Sequence, residues 1–144
     1  MVDQFLLDKL KSMREHPEST GYDGFFLLFQ IFKQLLEEND KLKKKILSLD
    51  LCLQYIIFEN DEEIYKYWSS IRDNDLDFGE GEGPNVTVTL RGSRDIFGGI
   101  LLREFNYLDA VKAGDLEITG NQHDAFIYGK ILLLAGKILD DLLE

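Results

Sequence analysis

One cysteine among 144 residues excludes an internal disulfide, and with it a scaffold held by covalent staples. Cys52 reads as a packing residue in a chain expected in a reducing compartment. Basic side chains are also in short supply: 16 lysines and arginines face 27 acids, a formal charge of −11 with a pI near 4.6. A nucleic-acid binder needs a basic face to displace counterions from phosphate, so that class is excluded. Anionic membranes are disfavoured by the same repulsion, which leaves at most transient membrane contact. The longest uncharged apolar runs, residues 25–29 and 131–135, fall far below the ~20 residues that cross a bilayer. Asp3 and Asp8 interrupt the first ten residues, so no basic region leads into an apolar signal run, and a cytoplasmic location is expected. The Asn85-Val86-Thr87 sequon then meets no glycosylation machinery and reads as the start of a strand.

The parts of a catalytic site are scarce too. There are two histidines, His16 beside a proline and His123 beside Asp124, and no serine lies in a Gly-x-Ser-x-Gly turn. Glu62-Glu63 and Asp140-Asp141 are adjacent in sequence and so point apart, which does not suit cooperating carboxylates. No three or four zinc-type ligands cluster. Asp73, Asp75 and Asp77 imitate positions one, three and five of a calcium loop, but Phe78 and Pro84 stand where that loop needs its glycine and its bidentate glutamate. That stretch reads as a solvated acidic turn. Gly79, Gly81 and Gly83 follow it without opening a helix, so they read as a flexible hairpin tip rather than a phosphate cradle. No enzyme, cofactor or metal is expected.

What is present is an ordinary core, 44% apolar, in a chain long enough to bury roughly 70% of its unfolded surface. Phe5, Leu6, Leu7, Leu10 and Met13 at helical spacing predict a first helix that His16-Pro17 ends. After a loop at 17–24, Asp23 is placed to cap a second helix carrying Phe25, Phe26, Phe29, Phe32, Leu35 and Leu36. Asn39-Asp40 breaks it, with Asp40 placed to cap a third piece whose lysines at 41, 43, 44 and 45 read as a solvated face. From Leu49 the period becomes two, with Leu49, Leu51, Leu53, Tyr55 and Ile57 on one side and Asp50, Cys52 and Gln54 on the other. Asn60-Asp61 predicts the hairpin turn into a strand at 64–72, and a short strand follows at Leu76 and Phe78. Val86, Val88 and Leu90 form a further strand. Ser93 caps a helix through Ile96, Phe97, Ile100 and Leu101, and a short helix at 107–112 stops at Gly114. Leu116 and Ile118 make a brief strand closed by Gly120. The last helix, 122–143, is apolar at nine of the twelve positions 125–136, too many for one stripe, so most of its sides must be covered.

The C-terminal half carries a resemblance. Val86-Thr87-Val88-Thr89-Leu90, the helix through Phe97 and Ile100, the stretch 106–114, then Leu116-Glu117-Ile118-Thr119-Gly120-Asn121 and an apolar terminal helix resemble the sterol carrier protein type 2 family. Its most specific part is residues 114–121, and it extends more weakly back to about residue 25. The resemblance implies an α+β fold, a twisted, mainly antiparallel five-stranded sheet covered by helices around an apolar tunnel. Residues 25–144 would form the lipid-binding domain and 1–24 an extra N-terminal helix. Carried over residue by residue, the ligand-binding positions are Phe97, Ile100, Leu101, Leu108, Val111, Phe126 and Ile127. Lys112, where the family usually has a second aromatic, and Gly98-Gly99, in place of bulkier residues, depart from the pattern.

The function expected is a non-catalytic carrier of a fatty acid, fatty acyl-CoA, phospholipid or sterol. Arg91, Arg94 and Arg103 with Lys112 form a local basic excess beside the implied cavity, suited to a head group, although interspersed acids make ordinary surface pairing the simpler reading. The rival is a dimerisation or protein-interaction module with a closed tunnel, because an apolar surplus looks the same whether lipid or a second copy of the chain covers it.

Overall fold

Short polar side chains set the helix starts. Asp3 adopts an extended backbone and its carboxylate accepts the Phe5 N–H at 2.8 Å, opening α1, Gln4–Glu15. His16 closes α1 by donating its N–H to the Ser12 carbonyl at 2.9 Å. The computed structural model describes residues 2–16, 23–101 and 107–143, and of residues 14, 23, 98–101, 107 and 108 only the backbone. Most of the loop expected at 17–24, and the capping side chain of Asp23, lie outside the described residues. α2 runs Asp23–Glu38 and α3 Asp40–Ile46. The cap of α3 is Asn39, not Asp40: Asn39 is the extended residue, and its side chain reaches the Leu42 N–H at 3.0 Å, three residues on. Asp40 falls inside the first turn, where its charge faces the positive end of the helix.

Two tight turns build a three-stranded meander. Asn60 and Asp61 (φ 53° and 64°) join β1, Leu51–Glu59, to β2, Glu62–Arg72. Asp73 and Asn74 (φ 54° and 61°) join β2 to β3, Asp75–Glu80. Paired left-handed residues match the twist of the flanking strands. β4, Val88–Ser93, then lies parallel to β1, and β5, Glu117–Gly120, antiparallel to β4. The order β3-β2-β1-β4-β5 gives the expected five-stranded, mainly antiparallel sheet. β1 sits at its centre, so the alternation expected from Leu49 gives way to burial of every residue from Leu51 to Ile57.

That order also dictates the path of residues 81–87. To pass from the edge strand β3 to a place beside β1, the chain must cross β2 and β1. One side of the sheet is occupied by helices, so it crosses on the other. The glycine-rich stretch is therefore no free hairpin tip: Gly79 and Glu80 belong to β3, and Gly81 donates its N–H to the Lys66 carbonyl at 3.0 Å. The Gln54 amide fastens the crossing from below, donating to Tyr67 O (3.0 Å) and Gly81 O (2.9 Å) and accepting the Gly83 N–H at 2.8 Å. Gly83 has to be glycine because a Cβ there would come within 2.9 Å of Cys52 Sγ and Trp68 Cβ. The segment is a roof over Trp68, Gln54 and a fully buried Cys52. The Arg72 guanidinium holds its far end, donating to Asp50, Pro84 O and Asn85 O.

On the opposite face lie α2 and α6, Gln122–Leu143, with α4, Arg94–Leu101, and α5, Tyr107–Lys112, between β4 and β5 in the chain. Ser93 caps α4 by accepting the Ile96 N–H at 3.2 Å. Tyr128, Ile131, Ala135 and Leu139 of α6 are buried in one core with Phe25, Phe29 and Phe32 of α2, and Leu7 and Leu10 of α1 join it.

Candidate functional site

The helix-covered face of the sheet is paved with aromatic rings. Tyr55 and Tyr67, partners across β1 and β2, stack at 4.4 Å between centroids, and Phe25 stacks on Tyr67 at 4.7 Å. Phe29 and Phe78 extend the paving, and Phe97 from α4 stands edge-on to Tyr55 at 6.1 Å and to Tyr67 at 6.4 Å. Beside the rings, the Tyr55 hydroxyl and Ser69 Oγ form a buried hydrogen bond of 2.9 Å. The Tyr128 hydroxyl comes down from α6 next to this pair, close enough for Ser69 and Tyr55 to favour its charged form, but outside hydrogen-bond geometry with either. Burial pushes the Tyr128 phenol up to about 12, with the nearby Ser69 and Tyr55 hydroxyls pulling the other way. Past Tyr128, between α2 and α6, is a small apolar space lined by Phe32, Leu36, Ile71, Leu76 and Ala135. It holds about 10 Å³, the room of one water.

The stretch 114–121 becomes intelligible residue by residue. Gly114 (φ 81°) ends α5 in a double turn, its N–H on Val111 O at 3.1 Å and the Asp115 N–H on Ala110 O at 3.0 Å. Leu116 is buried, and Gly120 (φ 101°) has no room for a side chain, since a Cβ would stand 2.7 Å from Thr87 O. Asn121 then caps α6 through the Asp124 N–H at 3.3 Å. Every one of these requirements belongs to the backbone path.

No family profile matches the chain, and no curated protein does. Solved structures do. Sterol carrier protein 2 from Yarrowia lipolytica, in its apo form, is 19% identical with a TM-score of 0.57, the match covering 79% of this chain and 94% of that one. This chain has the sterol carrier protein 2 fold. A palmitated SCP2L2 from Aedes aegypti shares it at 17% identity and a TM-score of 0.52, over 69% of this chain and 86% of that one. So does part of a larger enzyme, the sec-alkylsulfatase Pisa1 from Pseudomonas sp., at 16% identity and a TM-score of 0.55 over 73% of this chain, which spans only 16% of that enzyme's length.

Within the sterol carrier fold, the residues expected at the cavity fall on α4, α5 and α6. Phe97 is buried against the paved face, and Val111 and Ile127 pack half-buried against the same core. Phe126 is 41% exposed. Ile100 and Leu101 lie on α4 and Leu108 on α5, and their side chains, with those at Gly98-Gly99, lie outside the described residues. Of the basic group, Arg91 faces Glu117 across β4 and β5 at 3.8 Å, Arg94 and Lys112 are exposed, and Arg103 lies outside the described residues. Arg91 borders an open cleft of about 600 Å³ with Asn60, Asp61, Asp115 and Glu117, where the acids outnumber it. No local pattern singles out the Tyr55, Ser69 and Tyr128 hydroxyls, because Tyr55 alternates with apolar strand residues and position 128 falls in the apolar run of the last helix.

The other chemical candidates resolve into structure. Asp73 sits in the second hairpin turn and Asp75 and Asp77 on the exposed side of β3, Asp75 meeting Lys33 at 3.6 Å. Among the described residues no group of three metal-ligating side chains could hold an ion. His123 is exposed in the first turn of α6, and the lysines of α3 are exposed. Burial pushes the Cys52 thiol up, opposed by the Arg72 guanidinium. Among the described residues no helix is long and apolar enough to cross a membrane.

Proposed function

We propose that this domain is a non-catalytic lipid binder, taking an acyl chain, a sterol or a related apolar molecule between the sheet and its helices. The observation that carries the reading is the junction of α2 and α6, where two helices bring a small space lined by apolar side chains against the paved face of the sheet. The fold supports it, since one solved example is described as palmitated. Access for a chain longer than one water requires α6 to part from α2.

The second reading, a protein-interaction module with its cavity closed, draws on the small size of that space and on Phe5, Leu47, Phe126 and Leu142, which are exposed on the helical elements and just after α3. Native mass spectrometry before and after delipidation separates the two. Co-purified lipid lost on delipidation supports the carrier, and a lipid-free dimer supports the interaction module.

A further inference from the structure

Native cores pair nearly all of their buried polar groups, so one left over points to something that completes it. Among the described residues the buried polar side chains are Gln54, Ser69 and Ser70, and no charged side chain is buried. Gln54 is satisfied under the roof. On the helix-covered face three hydroxyls meet in apolar surroundings. Tyr55 and Ser69 bond to each other, and Tyr128, 1% exposed, is left with an unused O–H beside them. We infer that Tyr55, Ser69 and Tyr128 anchor the single oxygen function, a hydroxyl or a carbonyl, of a neutral lipid whose tail occupies the apolar space between α2 and α6.

The inference rests on the lipid-binding reading and narrows its ligand class. Tyr128 keeps its proton throughout the physiological range, so it offers an O–H to a ligand oxygen. A Ser or Tyr hydroxyl both donates and accepts, so the Tyr55–Ser69 pair can turn to receive a ligand O–H as well. A carboxylate or phosphate here would be buried without a counter-charge, which excludes ionised fatty acids, acyl-CoA and phospholipid head groups at this point. The position fits as well: Tyr128 borders both the hydroxyls and the apolar space, so an oxygen at the first leaves a tail in the second.

The test uses the purified, delipidated protein and three pyrene-labelled probes of equal length, an alcohol, an alkane and a fatty acid. The alcohol is expected to bind about five- to tenfold tighter than the alkane, the worth of one neutral hydrogen bond. Tyr128→Phe, which keeps the ring and the packing, removes that preference and leaves the alkane unchanged. Ser69→Ala weakens the preference from the sheet side and serves as the second variant. A folded Tyr128→Phe protein that still prefers the alcohol overturns the anchor, and so does equal binding of alcohol and alkane by the unaltered protein, the pattern of a trapped water only. Tighter binding of the ionised fatty acid than of the alcohol overturns the neutral ligand class. If no probe binds the unaltered protein, the lipid-binding reading itself fails, a pattern distinct from the loss of preference.

Discussion

Gln54→Met should open the roof over the sheet. Methionine keeps the length and volume of glutamine but offers no amide, so the bonds to Tyr67 O, Gly81 O and the Gly83 N–H all go. Two of the three tie down the crossing segment. Each net hydrogen bond contributes about 1 kcal/mol, and a partly stranded Gly83 N–H adds to the loss, for a cost of about 2–3 kcal/mol. In a domain of this size that lowers Tm by about 5–10 °C. The roof has two built-in reporters, the lone tryptophan and the lone cysteine, since Gly83 rests on both Trp68 Cβ and Cys52 Sγ. If opening of the roof becomes easier by about 2 kcal/mol, reaction of Cys52 with an aromatic disulfide under native conditions should accelerate about 30-fold. Trp68 emission should shift to the red in the same variant. A folded Gln54→Met protein with unchanged Tm and unchanged thiol reactivity would refute the reasoning, because it would mean the crossing is held without the Gln54 amide.

Gly120→Ala should destabilise well beyond Gly114→Ala, by about 2–4 kcal/mol against about 1 kcal/mol. Both residues have positive φ, but only at position 120 does the new Cβ meet backbone, at Thr87 O; urea unfolding of the pair checks this, and equal costs would count against the close approach. Phe97→Arg should weaken probe binding in a protein that still folds, as its ring stands against the paved face; undiminished affinity would remove Phe97 from the site. The Tyr128 phenol is higher in the folded chain than its ordinary value of 10, so the folded state holds its proton longer and stability falls as pH rises from 10 toward 12. Alkaline unfolding of Tyr128→Phe should be shallower over that window, and identical profiles would show that the phenol is not the group responsible.

The features legible in the sequence are those set by near neighbours. Asn60-Asp61 makes its own turn, Ser93 caps the residues just after it, and residues 114–121 encode a helix stop, a close strand approach and a helix start within eight positions. That same locality limits what the stretch reveals: it specifies the backbone path and hence the fold, while no side chain in it describes a ligand. What stayed hidden depends on distant pairings. Gln54 looks like an outward strand residue until the crossing at 81–87 arrives above it, which no local period encodes. The cap of α3 went to Asn39 because only its backbone is extended, a matter of where α2 ends. The hydroxyl cluster joins residues 55, 69 and 128, and Ser69 reaches Tyr55 only diagonally, through a register that pairs Tyr55 with Tyr67.

The strand order leaves β3 and β5 as the outer strands, and open strand rims are templates on which other chains can stack into fibres. β3 carries exposed carboxylates at Asp75, Asp77 and Glu80, so a second copy approaching that rim in either direction meets like charge. β5 is four residues long, ends at a glycine with positive φ, and turns at once into α6, which gives an incoming strand almost nothing to zip along. Both rims are thus closed to polymerisation by different means, one electrostatic and salt-sensitive, the other geometric and indifferent to salt. Concentrated salt should therefore expose whatever tendency to stack the chain retains at β3 and leave β5 as it was.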